Sequence, residues 1–271
     1  VSAILNITPD HLNRHHTMEC YTETKARVAM NQTKEQMCVL NYEDERLQQV
    51  AKNMSADVFW FSSARELERG IFLRGEEIVC RDGEEITLCN IHDLKLLGMH
   101  NYENVMAAAA IAHGMNVPWD VIRKVVCEFQ AVPHRIEFVK EVNGVKYYND
   151  SKGTNPDAAI KAVEAMVRPT IVIGGGYDKE SVYDEWIASF GTKVKSLVLL
   201  GQTADKIAEA AAKAGFTAVT KVDSLEEAVA ECARQAQDGD AVLLSPACAS
   251  WGMFKNYEQR GDKFKELVNQ L

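Results

Sequence analysis

Three stretches in the second half of the chain gather acids, cations and hydroxyls behind short apolar runs. The first, Asn149-Asp150-Ser151-Lys152-Gly153-Thr154-Asn155, follows the strand-type run 146–148 and precedes a helical pattern. An acid, a cation and two hydroxyls before a helix N-terminus make a good anion site. The second, Ile173-Gly174-Gly175-Gly176-Tyr177-Asp178-Lys179, combines glycines with a charge. The glycines let backbone approach a ligand closely; the spacing is not the GxGxxG of a dinucleotide fingerprint. The third runs from Leu244 through Ser245-Pro246-Ala247-Cys248-Ala249-Ser250-Trp251 to Lys255. Each could be turn chemistry by itself. Their recurrence at successive strand ends points to one shared site. Ahead of them stands Pro133-His134-Arg135-Ile136-Glu137.

The first half carries looser signals. Asn6-Ile7-Thr8-Pro9-Asp10-His11 ends an apolar run with a carboxylate and an imidazole, and histidine serves as metal ligand or general base. Tyr21 and Lys25 are four apart and share a helix face. Asn101 and Asn104 lie three apart at a helix start, where two carboxamides present donor and acceptor to a flat heterocycle. Helix capping explains Asn101 equally well.

The elements that must hold these groups follow from the patterning. Strand candidates in the first half are 1–7, 36–41 and 57–62, with a helix over 18–31. Residues 70–98 place Asp82-Gly83 between two β-rich runs, which predicts a hairpin and a small antiparallel sheet. Helices are expected over 101–115 and 118–129. The pattern changes near Val132-Pro133. Beyond it, strands at 146–148, 170–173, 196–200 and 241–244 alternate with helices at 156–166, 203–214 and 225–237. Such alternation means a mostly parallel sheet with helices on both faces, which binds ligands at the carboxyl ends of its strands.

Composition narrows the classes. The 271 residues are 46% hydrophobic and 25% charged, as in a globular protein, with a net charge of −9. That charge argues against general nucleic-acid binding. No apolar run is long enough to span a bilayer, and no signal peptide opens the chain. None of the seven cysteines forms a CxxC pair, so they read as small buried hydrophobes in a reducing cytosol.

Together these stretches resemble the Mur ligase family of peptidoglycan synthesis. NITPDHLNRH, GMHNYENVMAA, PHRIEFV, NDSKGTN and LLSPACAS with FKNYEQRG stand in that family's order. The last pair resembles the D-glutamate-adding members. The resemblance implies an α/β protein. Residues 1–131 would be the C-terminal part of a central ATPase-type domain, incomplete and with a small antiparallel sheet. Residues 132–271 would be a Rossmann-like, mostly parallel domain that binds D-glutamate. It implies a cytoplasmic, monomeric ligase of cell-wall biogenesis, bearing on cell shape and division. ATP and Mg2+ would be its cofactors. UDP-N-acetylmuramoyl-L-alanine and D-glutamate would be its small-molecule substrates, joined through an acyl phosphate, with no membrane insertion.

By position, the resemblance makes His11 a magnesium ligand and Lys25 a carbamylated, metal-binding lysine. Lys152 would contact nucleotide or phosphate, and it joins His11 and Lys25 as the catalytic set. Asn101 and Asn104 would meet adenine; Arg135 and Asp150 would lie near ribose and phosphates. Thr154, Lys179, Ser250, Trp251 and Tyr257 would surround D-glutamate. Trp251 and Tyr257 stand where the family often has Leu and Phe, which points to backbone contacts there. The proton acceptor stays open between His11 and a metal-linked carboxylate.

The GxxxxGK[ST] loop that cradles phosphates does not occur in these residues, and Val1 opens the sequence inside a strand-type run. A fragment with little ligase activity of its own is therefore expected. A folylpolyglutamate synthase-like ligase is an alternative that SPACAS disfavours. A non-catalytic nucleotide- or amino-acid-binding α/β protein is the alternative from another class.

Overall fold

The computed structural model describes residues 1–8 and 15–271. The chain divides into two compact units, Val1–Phe129 and Gln130–Leu271.

The first unit is built on one six-stranded sheet. Its strands are β1 (Ser2–Ile4), β2 (Met37–Asn41), β3 (Asp57–Ser62), β4 (Gly70–Arg74), β5 (Glu77–Asp82) and β6 (Glu84–Asn90), lying side by side in chain order. β1 to β4 pair in parallel. β4, β5 and β6 pair antiparallel. The antiparallel strands expected over 70–98 are thus the edge of the main sheet, joined to it through β3 and β4. Gly70 permits that junction: its φ is 146°, and a Cβ there would meet the Trp60 carbonyl oxygen at 2.4 Å. Gly83, at φ 77°, turns the β5–β6 hairpin, a conformation that favours glycine.

Helices α1 (Met18–Ala26), α2 (Glu45–Ala51), α3 (Met99–Gly114) and α4 (Trp119–Glu128) complete the unit. The helix expected over 18–31 ends at Ala26 and tightens into a 3-10 turn, Arg27–Ala29. In α3 the buried face is Val105, Met106, Ala107, Ala109 and Ala110, mostly small side chains that let the helix lie close to β2, β3 and β4. α2 escaped the sequence reading; it starts where Asp44 accepts from the Arg46 and Leu47 amides, a side-chain N-cap.

The second unit holds β7 (Glu137–Val142), β8 (Val145–Asn149), β9 (Thr170–Gly174), β10 (Val194–Leu199), β11 (Val219–Lys221) and β12 (Ala241–Leu244). The sheet order is β11-β10-β9-β12-β8-β7. All pairs are parallel except β7–β8. β9 and β12 are buried along their whole length, as central strands covered on both faces must be. Between the strands run α5 (Pro156–Ala165), α6 (Asp184–Ala188), α7 (Ala204–Lys213), α8 (Leu225–Gln235) and, last, α9 (Tyr257–Asn269). Ile171, Ile173, Val242 and Leu244 pack with Val229, Phe264 and Val268 in one core. Each buried side chain of this size contributes roughly 1.5–3 kcal/mol. Among the described residues no helix is long and apolar enough to cross a membrane.

The sheet order decides the chemistry. β12 lies between β8 and β9, with Leu244 in register with both Asn149 and Ile173. Three loops far apart in sequence therefore leave the sheet side by side.

Candidate active site

Asp150 stands at the end of β8 and is the most perturbed acid of the site. Its amide donates to the Leu244 carbonyl at 2.8 Å, which fixes the chain at the strand end. Its carboxylate accepts from the Ser245 hydroxyl at 2.8 Å and from the Ile136 amide at 3.3 Å. Burial pushes the carboxyl up to about 7; the Ser245 and Ile136 hydrogen bonds and the charges of Arg135 and Arg260 pull it back. The raised folded-state value means that Asp150 favours stability at low pH. The benefit is full below the unfolded value near 3.8 and is lost as pH rises through about 7. Between pH 7.5 and 5, the unfolding free energy of the unsubstituted protein should gain about 2 kcal/mol relative to Asp150→Asn. Denaturant titrations of both proteins at the two pH values check this; a pH-independent difference contradicts it.

Around Asp150 the β8 loop is packed tightly. Gly153 has no room for a side chain: a Cβ would lie 2.5 Å from Asp150 Oδ2 and 3.0 Å from Ser245 Oγ. Thr154 and Lys152 follow on the same loop, and Asn155 caps α5 by accepting from the Ala158 amide at 2.8 Å. The ammonium of Lys152 sits 3.9 Å from the centroid of the Tyr257 ring, a cation–π contact. Tyr257 in turn meets the buried His134 ring edge-on at 5.8 Å.

The β9 loop is clamped to the β12 loop at two points. The Gly175 amide donates to the Pro246 carbonyl at 2.8 Å, and the Tyr177 amide to the Ala249 carbonyl at 2.9 Å. Gly175 has φ 100°, and a Cβ on it would meet the Leu200 carbonyl oxygen at 2.1 Å. Gly175→Ala is therefore expected to cost at least about 2 kcal/mol of stability. A lowered denaturant midpoint checks it, and an unchanged midpoint would refute it. At the end of this loop Lys179 is exposed, its ammonium 5.0 Å from the Trp251 ring centroid. Trp251 is 54% exposed, so the cation and the ring face open solvent together. Ser250, next to it, is buried.

Several functional groups were missed in the sequence. Arg260 is buried, and its guanidinium donates to Ser151 Oγ (2.9 Å), the Ser151 carbonyl (2.8 Å) and the Cys248 carbonyl (3.1 Å). It ties the β8 loop to the β12 loop; burial lowers its pKa to about 10. Its only sequence signal is a lone arginine inside NYEQRG. Lys206 reaches Asp178 at 3.2 Å. That pairing offsets one of the two acids adjacent to Lys179, Asp178; the other, Glu180, is exposed. Nothing in the spacing of residues 178 and 206 announces it.

The second unit thus brings together Lys152 with Tyr257, Lys179 with Trp251, and Asp150 with Ser245. It joins the loops of Thr154, Lys179 and Ser250 along one sheet edge. Arg135 is exposed in the turn whose next amide holds Asp150. In the first unit, Lys25 is exposed in the last turn of α1 with its ammonium 5.3 Å from the Tyr21 ring centroid. Asn101 and Asn104 occupy the first turns of α3; the Asn101 side-chain Nδ2 donates to the Leu97 carbonyl at 2.7 Å, and Asn104 is exposed. His11 lies outside the described residues. Among the described residues no cluster of three His, Cys, Asp or Glu side chains could hold a metal ion. Five cysteines are buried, Cys127 is half-buried and Cys20 is exposed.

Known proteins share both the sequence and the fold. Residues 1–112 match the Mur ligase middle domain, and residues 134–248 the Mur ligase glutamate ligase domain. The UDP-N-acetylmuramoylalanine–D-glutamate ligase of Lachnoclostridium phytofermentans is 60% identical over 272 residues, and that of Clostridioides difficile 49% identical over 271. Both matches take in the whole chain, which spans 60% of the length of these curated relatives. A UDP-N-acetylmuramate-alanine ligase from Thermotoga maritima superposes with a TM-score of 0.70 at 16% identity, covering 99% of this chain and 59% of that one. A MurF ligase from the same organism, solved in complex with ADP, superposes with a TM-score of 0.62 at 17% identity, covering 99% and 62%. Two consecutive family domains, in family order and supported by identity along every part of the sequence, make this chain a member of the Mur ligase family.

Proposed function

We propose that this chain belongs to a ligase that joins D-glutamate to UDP-N-acetylmuramoyl-L-alanine, with ATP as the source of energy. The observation that carries the reading is the hydrogen-bonded union of the β9 and β12 loops, with Lys179 against the ring of Trp251, the residue that follows Ser250. The names of relatives up to 60% identical support the same substrates.

The residues of the second unit suit a dicarboxylate. Lys179 supplies the cation, Thr154 and Ser250 supply hydroxyl donors, and the paired Lys206 keeps Asp178 from repelling the ligand. Charge-assisted bonds of this kind are roughly twice as strong as neutral ones. Arg135 and Lys152 offer cations to a polyphosphate, and the exposed Asn104 amide offers donor and acceptor to adenine. ATP, when bound, supplies the phosphoryl group that turns a carboxylate into an acyl donor. Oxygen donors for Mg2+ would come from Lys25 once carbamylated, because an ammonium has no lone pair; His11 would be its companion. The chain's remaining task is to hold the incoming amine and the activated carboxylate in one geometry, which is where much of the rate of such reactions arises. Cytoplasmic location and a monomeric state complete the proposal.

The test is an omission assay on the gene product in which these 271 residues stand. Phosphate should be released only when ATP, UDP-N-acetylmuramoyl-L-alanine and D-glutamate are all present. Release that persists without D-glutamate, or that requires a different amino acid, overturns the reading.

A further inference from the structure

A buried polar cluster lies behind the β9 and β12 loops. Thr203 and Cys248 are both buried, as is Tyr183. Cys248 Sγ is 3.2 Å from the Thr203 hydroxyl and 3.1 Å from the Tyr183 hydroxyl. The Gly176 amide donates to Thr203 Oγ1 at 3.0 Å, and the Thr203 amide returns a bond to the Gly176 carbonyl at 3.2 Å. The Thr203 hydroxyl also lies 3.4 Å from that carbonyl. One proton arrangement satisfies every group: the Tyr183 hydroxyl donates to Cys248 Sγ, the thiol to Thr203, and the Thr203 hydroxyl to the Gly176 carbonyl. Burial pushes the Cys248 thiol up and does the same to the Tyr183 hydroxyl, so both stay protonated as this arrangement needs.

The cluster acts on a segment that its own residues do not restrain. Glycines 174 to 176 give the chain many accessible backbone states, yet Lys179 needs one of them. Gly176 has φ 151°, and a Cβ on it would meet the Ala249 carbonyl oxygen at 2.4 Å; a Cβ on Gly201 would meet Gly176 Cα at 2.9 Å. The β12 loop therefore presses on Gly176 from one side and the turn after β10 from the other. Thr203 is the side chain that bonds Gly176 through both its amide and its carbonyl. We infer that Thr203, with Cys248 and Tyr183 behind it, is a positioning device that sets the Gly174–Lys179 segment and thereby the affinity for the amino-acid substrate. This inference rests on the D-glutamate reading above.

The decisive variant is Thr203→Val, which keeps the shape and removes the hydroxyl. In the gene product containing this chain it should raise the Michaelis constant for D-glutamate about tenfold. The turnover number and the constant for ATP should stay within about twofold, since a loosened cation weakens ground- and transition-state binding alike. Thr203→Ser should restore the constant. Amide hydrogen exchange across residues 174–179 should accelerate in the valine variant and return in the serine variant. An unchanged D-glutamate constant, or unchanged exchange, overturns the inference, as does an equal rise for both substrates. If Thr203→Val does not fold, Tyr183→Phe keeps the ring and removes only the outer hydroxyl; it should raise the D-glutamate constant about threefold, and no rise overturns the inference. Failure of the functional reading itself looks different: the unsubstituted enzyme then shows no dependence on D-glutamate at all.

Discussion

Lys179→Ala is expected to raise the Michaelis constant for D-glutamate roughly 10- to 150-fold, the loss of one charge-assisted contact of about 1.5–3 kcal/mol. The side chain is exposed and touches the Trp251 ring, so its removal leaves no buried group unpaired and folding should be unaffected. The constant for ATP should move by less than about twofold, because the role proposed for Lys179 is on the other substrate and uniform binding would be lost only there. Lys152→Ala should show the reverse pattern, raising the ATP constant more than that for D-glutamate. Steady-state kinetics on the two variants check both statements. An unchanged D-glutamate constant in a normally folded Lys179→Ala protein removes Lys179 from the substrate site.

Arg260→Met should produce the largest loss of stability. The guanidinium feeds two backbone carbonyls and one hydroxyl in the interior. Methionine keeps much of the volume and donates nothing, so the Ser151 and Cys248 carbonyls are left buried without donors. Each unsatisfied group costs about 1–3 kcal/mol, giving a loss of about 3 kcal/mol. For a protein of this size that lowers the melting temperature by about 10 °C. Arg260→Lys should recover only part, because an ammonium cannot reproduce the planar fork that reaches three acceptors. Thermal unfolding decides it; a methionine variant within about 1 °C of the parent would show that the staple between the two loops contributes nothing.

The alternation of strands and helices after residue 132 was legible because central parallel strands are continuous apolar runs. Thr170–Gly174 and Ala241–Leu244 are buried throughout and stand out in any hydropathy pattern. The edge strands do not. Glu137–Val142 has no fully buried residue and exposes both Phe138 and Glu141, so it shows no continuous apolar run and reads as part of the motif before it. Val219–Lys221 is three residues long and too short for a pattern. The loops that carry Asp150, Lys179 and Ser250 could be picked out because charge and glycine at a strand end have few structural reasons to coincide. Their adjacency could not. It depends on β12, the last strand, inserting between β8 and β9, an order that no local pattern encodes. The same limit hid Arg260, Lys206 and Thr203. Each acts across more than 25 residues of sequence, and each looks locally like an ordinary helix or turn residue.

Titrating D-glutamate into the 271-residue chain while following its backbone amide resonances decides whether the joined strand-end loops of the second unit hold D-glutamate. Saturable shifts should concentrate in residues 150–155, 175–180 and 248–254, should be absent with L-glutamate at the same concentrations, and should be strongly weakened in Lys179→Ala. Shifts that map elsewhere, or that persist unchanged without the Lys179 ammonium, would contradict that binding.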